Sequence, residues 1–91
     1  MTTNVVWLKI DGTRVLPTLE QAREKLDSAD GEVVLDFSTV SRIDPGVLRA
    51  MERIADTADG KGSKAVLRGV NVQIYKVLKL MRLTSRFLFR N

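Results

Sequence analysis

Apolar residues along this chain recur every second position, then every third or fourth, and the switch repeats. From Asn4 to Ile10 the residues are β-branched and aromatic, with Val5, Trp7 and Lys9 on one face of a strand and Val6, Leu8 and Ile10 on the other. Asp11-Gly12 closes that strand with a turn. Thr18, followed three residues later by Gln21, forms a capping-box pattern behind Pro17, and Leu19, Ala22 and Leu26 continue at helical spacing to about Asp27. Glu32 to Phe37 is a short apolar run of the kind a central strand carries. Asp44 suits an N-cap and Pro45 the first helical position, after which Val47, Met51, Ile54 and Ala58 share a face flanked by Leu48 and Ala55. Gly60 and Gly62 end that helix. Lys64 to Arg68 predicts a third strand and Asn71 caps a third helix, with Ile74, Leu78 and Met81 in its stripe and Val77 and Leu80 beside it. Arg86-Phe87-Leu88-Phe89 predicts a last, edge strand. Trp7 and the methionines fall at core-like spacing and are assigned to packing.

Strands alternating with helical segments imply crossover connections, so the expected class is α/β, a mostly parallel sheet of about four strands with about three helices. No linker, repeat or low-complexity tract interrupts residues 1–91, which are expected to form a single domain.

Composition narrows the function. With 91 residues, 44% hydrophobic and 29% charged, the chain matches a small globular protein that buries about 60 to 65% of its unfolded surface. It has neither cysteine nor histidine. A disulfide framework and a thiolate site are thereby excluded, and the commonest metal ligand and general acid–base are missing, which points away from an enzyme. No secretory h-region and no apolar run near the ~20 residues of a spanning helix occurs, so the expected location is cytoplasmic and not transmembrane.

The apolar strand Val33-Val34-Leu35-Asp36-Phe37 running into Ser41-Arg42-Ile43-Asp44-Pro45-Gly46-Val47-Leu48 resembles the STAS domains of bacterial anti-sigma-factor antagonists, where a strand ending in Asp leads through a short loop to Ile-Asp-Ser-Ser-Gly-Leu at a helix start. The likeness continues through Gly60-Lys61-Gly62, Lys64-Ala65-Val66-Leu67-Arg68-Gly69-Val70, Val77-Leu78 and Met81-Arg82-Leu83. It covers residues 32–90 well and 5–31 loosely. Against the usual STAS outline, one N-terminal strand and the final C-terminal helix have no counterpart, which should leave apolar surface for a partner or a second copy to cover.

Aligning Ala50-Met51 with the family's Ala-Leu puts Pro45 on the first serine and Gly46 on the second, the one phosphorylated in switching members. Gly46 is thus a degenerate phosphosite. A phosphate there would add about −1.5 to −2 charges at the partner surface; without a hydroxyl the resemblance implies a constitutive binder. The plainer alternative is that Asp44-Pro45-Gly46 is only a good helix start. Ser38, Thr39 and Ser41 in the preceding loop are candidates for a displaced phosphosite, or simply turn residues. Asp36 and Asp44 lack any nearby nucleophile, base or third ligand, so neither catalytic residues, a metal nor a cofactor is expected.

By position the resemblance implies a contact patch of Ser41, Arg42, Asp44, Pro45, Gly46, Val47, Arg49 and Arg53, with Arg49 and Arg53 one helical turn apart to meet an acidic partner. The partner implied first is an anti-sigma factor of the GHKL kinase type. STAS proteins also serve as accessory subunits of lipid-transport ABC complexes, where the partner is the ATPase subunit. A third reading comes from Lys76, Lys79, Arg82, Arg86 and Arg90, which occur after residue 70 with no acidic residue among them and would suit RNA or an anionic surface. No RNA-module signature accompanies them, so a solvated helix face is preferred and nucleic acid is not the favoured partner.

Overall fold

A computed structural model describes residues 5–29 and 31–90. It contains β1 (Val5–Lys9), α1 (Val15–Ser28), β2 (Glu32–Asp36), α2 (Pro45–Gly60), β3 (Val66–Arg68), α3 (Val72–Leu80), a single 3-10 turn (Thr84–Arg86) and β4 (Leu88–Arg90). The four strands form one sheet in the order β1-β2-β3-β4, every pair parallel. Neighbouring strands consecutive in the chain, joined by crossovers of one hand, place all three helices on the same side of the sheet. The core agrees: Val33, Leu35, Phe37 and Leu67 pack with Leu19, Leu26, Met51, Ile54, Ile74 and Leu78, while Val6, Leu8 and Phe89 lie against that cluster.

The expected elements are present, though the last strand, expected over 86–89, spans Leu88–Arg90, because Arg86 is taken up by the 3-10 turn; four further differences stand out. Helix α1 begins at Val15, and Arg14 at its N-cap makes no side-chain cap. Thr18 sits inside the helix and donates its hydroxyl to the Arg14 carbonyl, so the Thr18–Gln21 capping box does not form. The turn before it is closed instead by Asp11, whose carboxylate accepts from the Thr13 amide at 2.9 Å and the Thr13 hydroxyl at 2.8 Å. Second, β3 starts at Val66; Lys64 lies outside it and donates to the Ser85 carbonyl at 2.8 Å.

Third, Trp7 is no core residue: it is 57% exposed. It alternates onto the face away from Val6 and Leu8, and with every helix on the other side that face stays bare. Among the methionines Met51 is buried, whereas Met81 is exposed, and Met1 and the strand's expected first residue Asn4 fall outside the described residues. Fourth, the α3 stripe stops at Leu78, leaving Leu80 exposed as well. The chain leaves the helix there through a Schellman arrangement, with Leu83 N–H donating to Leu78 C=O at 2.8 Å and Arg82 N–H to Lys79 C=O at 3.1 Å. Arg82, at φ 60°, fills the left-handed position that glycine usually takes.

Candidate functional site

The loop from β2 to α2 is held on three sides, which makes it a fixed surface. Asp36 ends the strand and accepts the Ser38 amide at 2.9 Å, and Val40 N–H closes a turn onto Phe37 C=O at 2.9 Å. On the β1 side the Thr39 hydroxyl donates to Ile10 C=O at 3.1 Å and accepts from the Gly12 amide at 3.2 Å. A Cβ on Gly12 would stand 2.0 Å from the Thr39 carbonyl oxygen, so only glycine allows that approach. On the α3 side Asn71 donates from its amide to Val40 C=O at 3.3 Å and Ser41 C=O at 3.1 Å, while its oxygen accepts the Ile74 amide at 2.8 Å as the helix cap. Gly69, at φ 72°, passes under Ser38, where a Cβ would come within 3.1 Å of the serine's Cβ.

Helix α2 then starts as expected. Asp44 caps it by accepting the Val47 amide at 2.8 Å, and Pro45 occupies the first turn. Gly46 is half-buried; a Cβ on it would meet only the Asp44 carboxylate oxygen, at 3.3 Å. Neither Pro45 nor Gly46 carries a hydroxyl, and the Thr39 hydroxyl is occupied by its two hydrogen bonds.

Of the eight residues expected in the contact patch, Ser41, Arg42, Asp44, Pro45, Arg49 and Arg53 are exposed, along the loop and the first half of α2. Val47 is different: its side chain is 4% exposed and serves as floor. Arg42 and Ile43 form a ridge between two shallow grooves. One, of about 280 Å³, runs to the start of α1 and is lined by Thr13, Val15, Leu16 and Val47; the other, about 110 Å³, runs to α3 and is lined by Gln73, Ile74 and Val77. Arg53 is not a free cation: it meets Glu20 of α1 at 3.4 Å, and Glu20 also lies 3.7 Å from Arg23. Sequence reasoning missed Leu16, which is 42% exposed. The available signal was that it lies off the Leu19-Ala22-Leu26 stripe, once the helix is extended back to Val15.

The charged groups around the loop and sheet act as anchors. The Ser38 amide first, then the Ser38 hydroxyl, Arg68 and Lys9, hold the Asp36 carboxyl below the usual carboxylate range. At the far end, Arg86 is held more firmly charged by Asp59 and then Asp56, at 2.6 and 2.7 Å. Arg90 meets Glu32 at 3.1 Å. The basic series after residue 70 is therefore partly neutralised; Lys76, Lys79 and Arg82 are exposed and, among the described residues, outside these ion pairs. No helix among the described residues is long and apolar enough to cross a membrane.

The family model described as "Mlab, STAS domain" matches residues 6–89. The intermembrane phospholipid transport system binding protein MlaB of Escherichia coli (strain K12) is 33% identical over 82 residues, covering 90% of this chain and 81% of that protein. MlaB of Shigella flexneri matches with the same identity and coverage. Two solved structures share the fold at 19% identity, each over 100% of this chain. One is an NMR structure with a TM-score of 0.78, covering 77% of that chain. The other is the crystal structure of a Thermotoga maritima protein described as a candidate anti-sigma factor antagonist, with a TM-score of 0.67 and 76% of that chain covered.

Proposed function

The chain belongs to the STAS domain family, and from that premise we propose that it is a non-catalytic binding subunit of an intermembrane phospholipid transport system. In this reading it acts on the cytoplasmic side and grips the ATP-binding subunit of an ABC complex. The observation that carries the binding role is the Arg42-Ile43 ridge, fixed by Thr39, Asn71 and Gly12 before any partner arrives and flanked by two grooves. The choice of partner follows the relatives that are a third identical over nine-tenths of the chain. An anti-sigma factor of the GHKL kinase type would use the same ridge; the structural likeness at 19% identity supports the fold and leaves that partner second.

With Gly46 where a switching relative keeps its serine, the grip is constitutive. The contact patch comprises Ser41, Arg42, Asp44, Pro45, Gly46 and Arg49 at the surface, with Val47 beneath and Arg53 braced by Glu20. Affinity capture of the tagged chain from its native cells, followed by mass spectrometry, tests the partner: an ABC ATP-binding subunit is expected, and a kinase-type anti-sigma factor in its place would overturn the transport reading. Gly46→Asp adds a carboxylate beside Asp44 and should cut capture by about tenfold or more with the thermal midpoint little changed. Undiminished capture by that variant would remove the ridge from the interface.

A further inference from the structure

Parallel sheets are ordinarily covered on both faces, because their crossovers bury one side and their strands are apolar on the other. Among the described residues, one face carries no helix. Register lines its residues into rows across the strands: Trp7, Val34, Val66 and Leu88 form one row, and Lys9, Asp36, Arg68 and Arg90 form the next toward the strand C-termini. The apolar row is exposed at its ends, Trp7 at 57% and Leu88 at 48%, and closed in its middle, where Val34 and Val66 are 0% exposed. Two arginines account for the closure. Arg68 reaches two strands across to place its guanidinium carbon 5.6 Å from the centre of the Trp7 ring, and Arg90 likewise reaches two strands to Glu32.

We propose that a second copy of this chain packs on this face, sheet on sheet, about a two-fold axis parallel to the strands, with Asp36 of each copy opposite Arg68 of the other, so that the 3.9 Å Asp36–Arg68 pair within each chain becomes part of a four-charge cluster. This inference is independent of the function proposed above. The charge pattern selects the axis. Parallel to the strands, it lays β2 over β3 of the partner copy and β1 over its β4. Like rows then meet, so Trp7 lies on Leu88 and Asp36 on Arg68, while the arginine side chains that close over Val34 and Val66 lie between the two sheets. An axis across the strands would set Asp36 against Glu32, carboxylate on carboxylate. The favoured arrangement has one mismatch, Lys9 facing Arg90 at a solvent-exposed corner where Arg90 is already held by its own Glu32.

Size sets the strength. Two strands of five residues and two of three, at about 3.3 Å per residue and about 4.8 Å apart, give roughly 250 Å² of flat sheet per copy, against the ~800 Å² per partner of a standard stable interface. The dimer is therefore weak, with a dissociation constant on the order of 100 μM.

Trp7 is the sole tryptophan, so its emission reports this face alone. Sedimentation equilibrium and tryptophan fluorescence from about 10 μM to about 1 mM should show a monomer–dimer equilibrium with a matching blue shift. Asp36→Arg and Arg68→Asp should each weaken self-association about tenfold or more, and an equimolar mixture of the two should restore it, since both facing 36–68 pairs are then opposite in sign. A purely structural role for the pair would not be rescued by mixing. Leu88→Lys, at a half-exposed position, should abolish association with an unchanged unfolding midpoint, which covers the case in which either charge variant fails to fold. A chain that stays monomeric to the top concentration with constant emission would overturn the proposal, as would a mixture that does not associate. So would a Trp7 shift that appears only with anionic vesicles or with a captured partner protein.

Discussion

At Gly12 a backbone and not a side chain decides the structure. The Thr39 carbonyl oxygen occupies the space of a Cβ at 2.0 Å, so any L side chain forces apart the β1–α1 turn and the loop that carries the ridge. Gly12→Ala should cost at least about 2 kcal/mol in chemical denaturation. Gly60→Ala, with nothing within 4 Å of its Cβ, should be neutral or slightly stabilising and is the matched control. In the sequence these two glycines look alike. Asp11-Gly12 suggests a turn, but the contact that makes glycine obligatory comes from 27 residues away. Arg82 shows the reverse: its type gives no warning of a left-handed backbone, which arises because Leu78 and Leu83 must both reach the core. Asp44 and Pro45, by contrast, declare their roles at once, since a cap and a first-turn proline depend only on neighbours in the chain.

Among the elements, α2 and α3 were legible from capping residue and stripe, and α1 from its stripe alone. Its start was not, because Thr18-Gln21 mimics a capping box one turn inside a helix whose true entrance is built by the Asp11 turn. The loop and helix start that carry the proposed contact patch were readable as a stretch of sequence, whereas the grooves beside them were not, since their other walls come from Leu16 on α1 and Gln73 on α3. Asn71 links these scales, capping α3 with its oxygen and holding the ridge with its nitrogen. Asn71→Asp retains the cap and loses both donated bonds, placing negative charge against the Val40 and Ser41 carbonyls. It should leave α3 helicity by circular dichroism intact and reduce partner capture. Asn71→Ala should lose both, with a stability cost of about 1 kcal/mol for the cap. Equal capture by wild type and Asn71→Asp would mean the ridge does not need this anchor.

Over the whole molecule, strand order and helix side follow from one rule of handedness, yet the consequence for Trp7 escapes any local pattern, because alternation says which residues share a face and not which face is covered. Charge acts at this scale too. Asp36 and Asp11 both have carboxyl pKa values held below the ordinary range, Asp36 chiefly by the Ser38 amide and Asp11 chiefly by the Thr13 amide. A depressed folded-state value contributes stability that is present above the unfolded pKa of about 4 and is lost as pH falls through the folded value. Urea midpoints should therefore hold steady from about pH 7 to about pH 5 and fall below about pH 4. Asp36→Asn should lower the neutral plateau and flatten that acid slope, and an unaltered slope would discount the Asp36–Ser38 bond. Finally, a ridge anchored by Thr39, Gly12 and Asn71 has little freedom left to surrender on docking. Any adjustment of shape then falls to the counterpart, which must arrive already fitted to the two grooves or be remodelled by them.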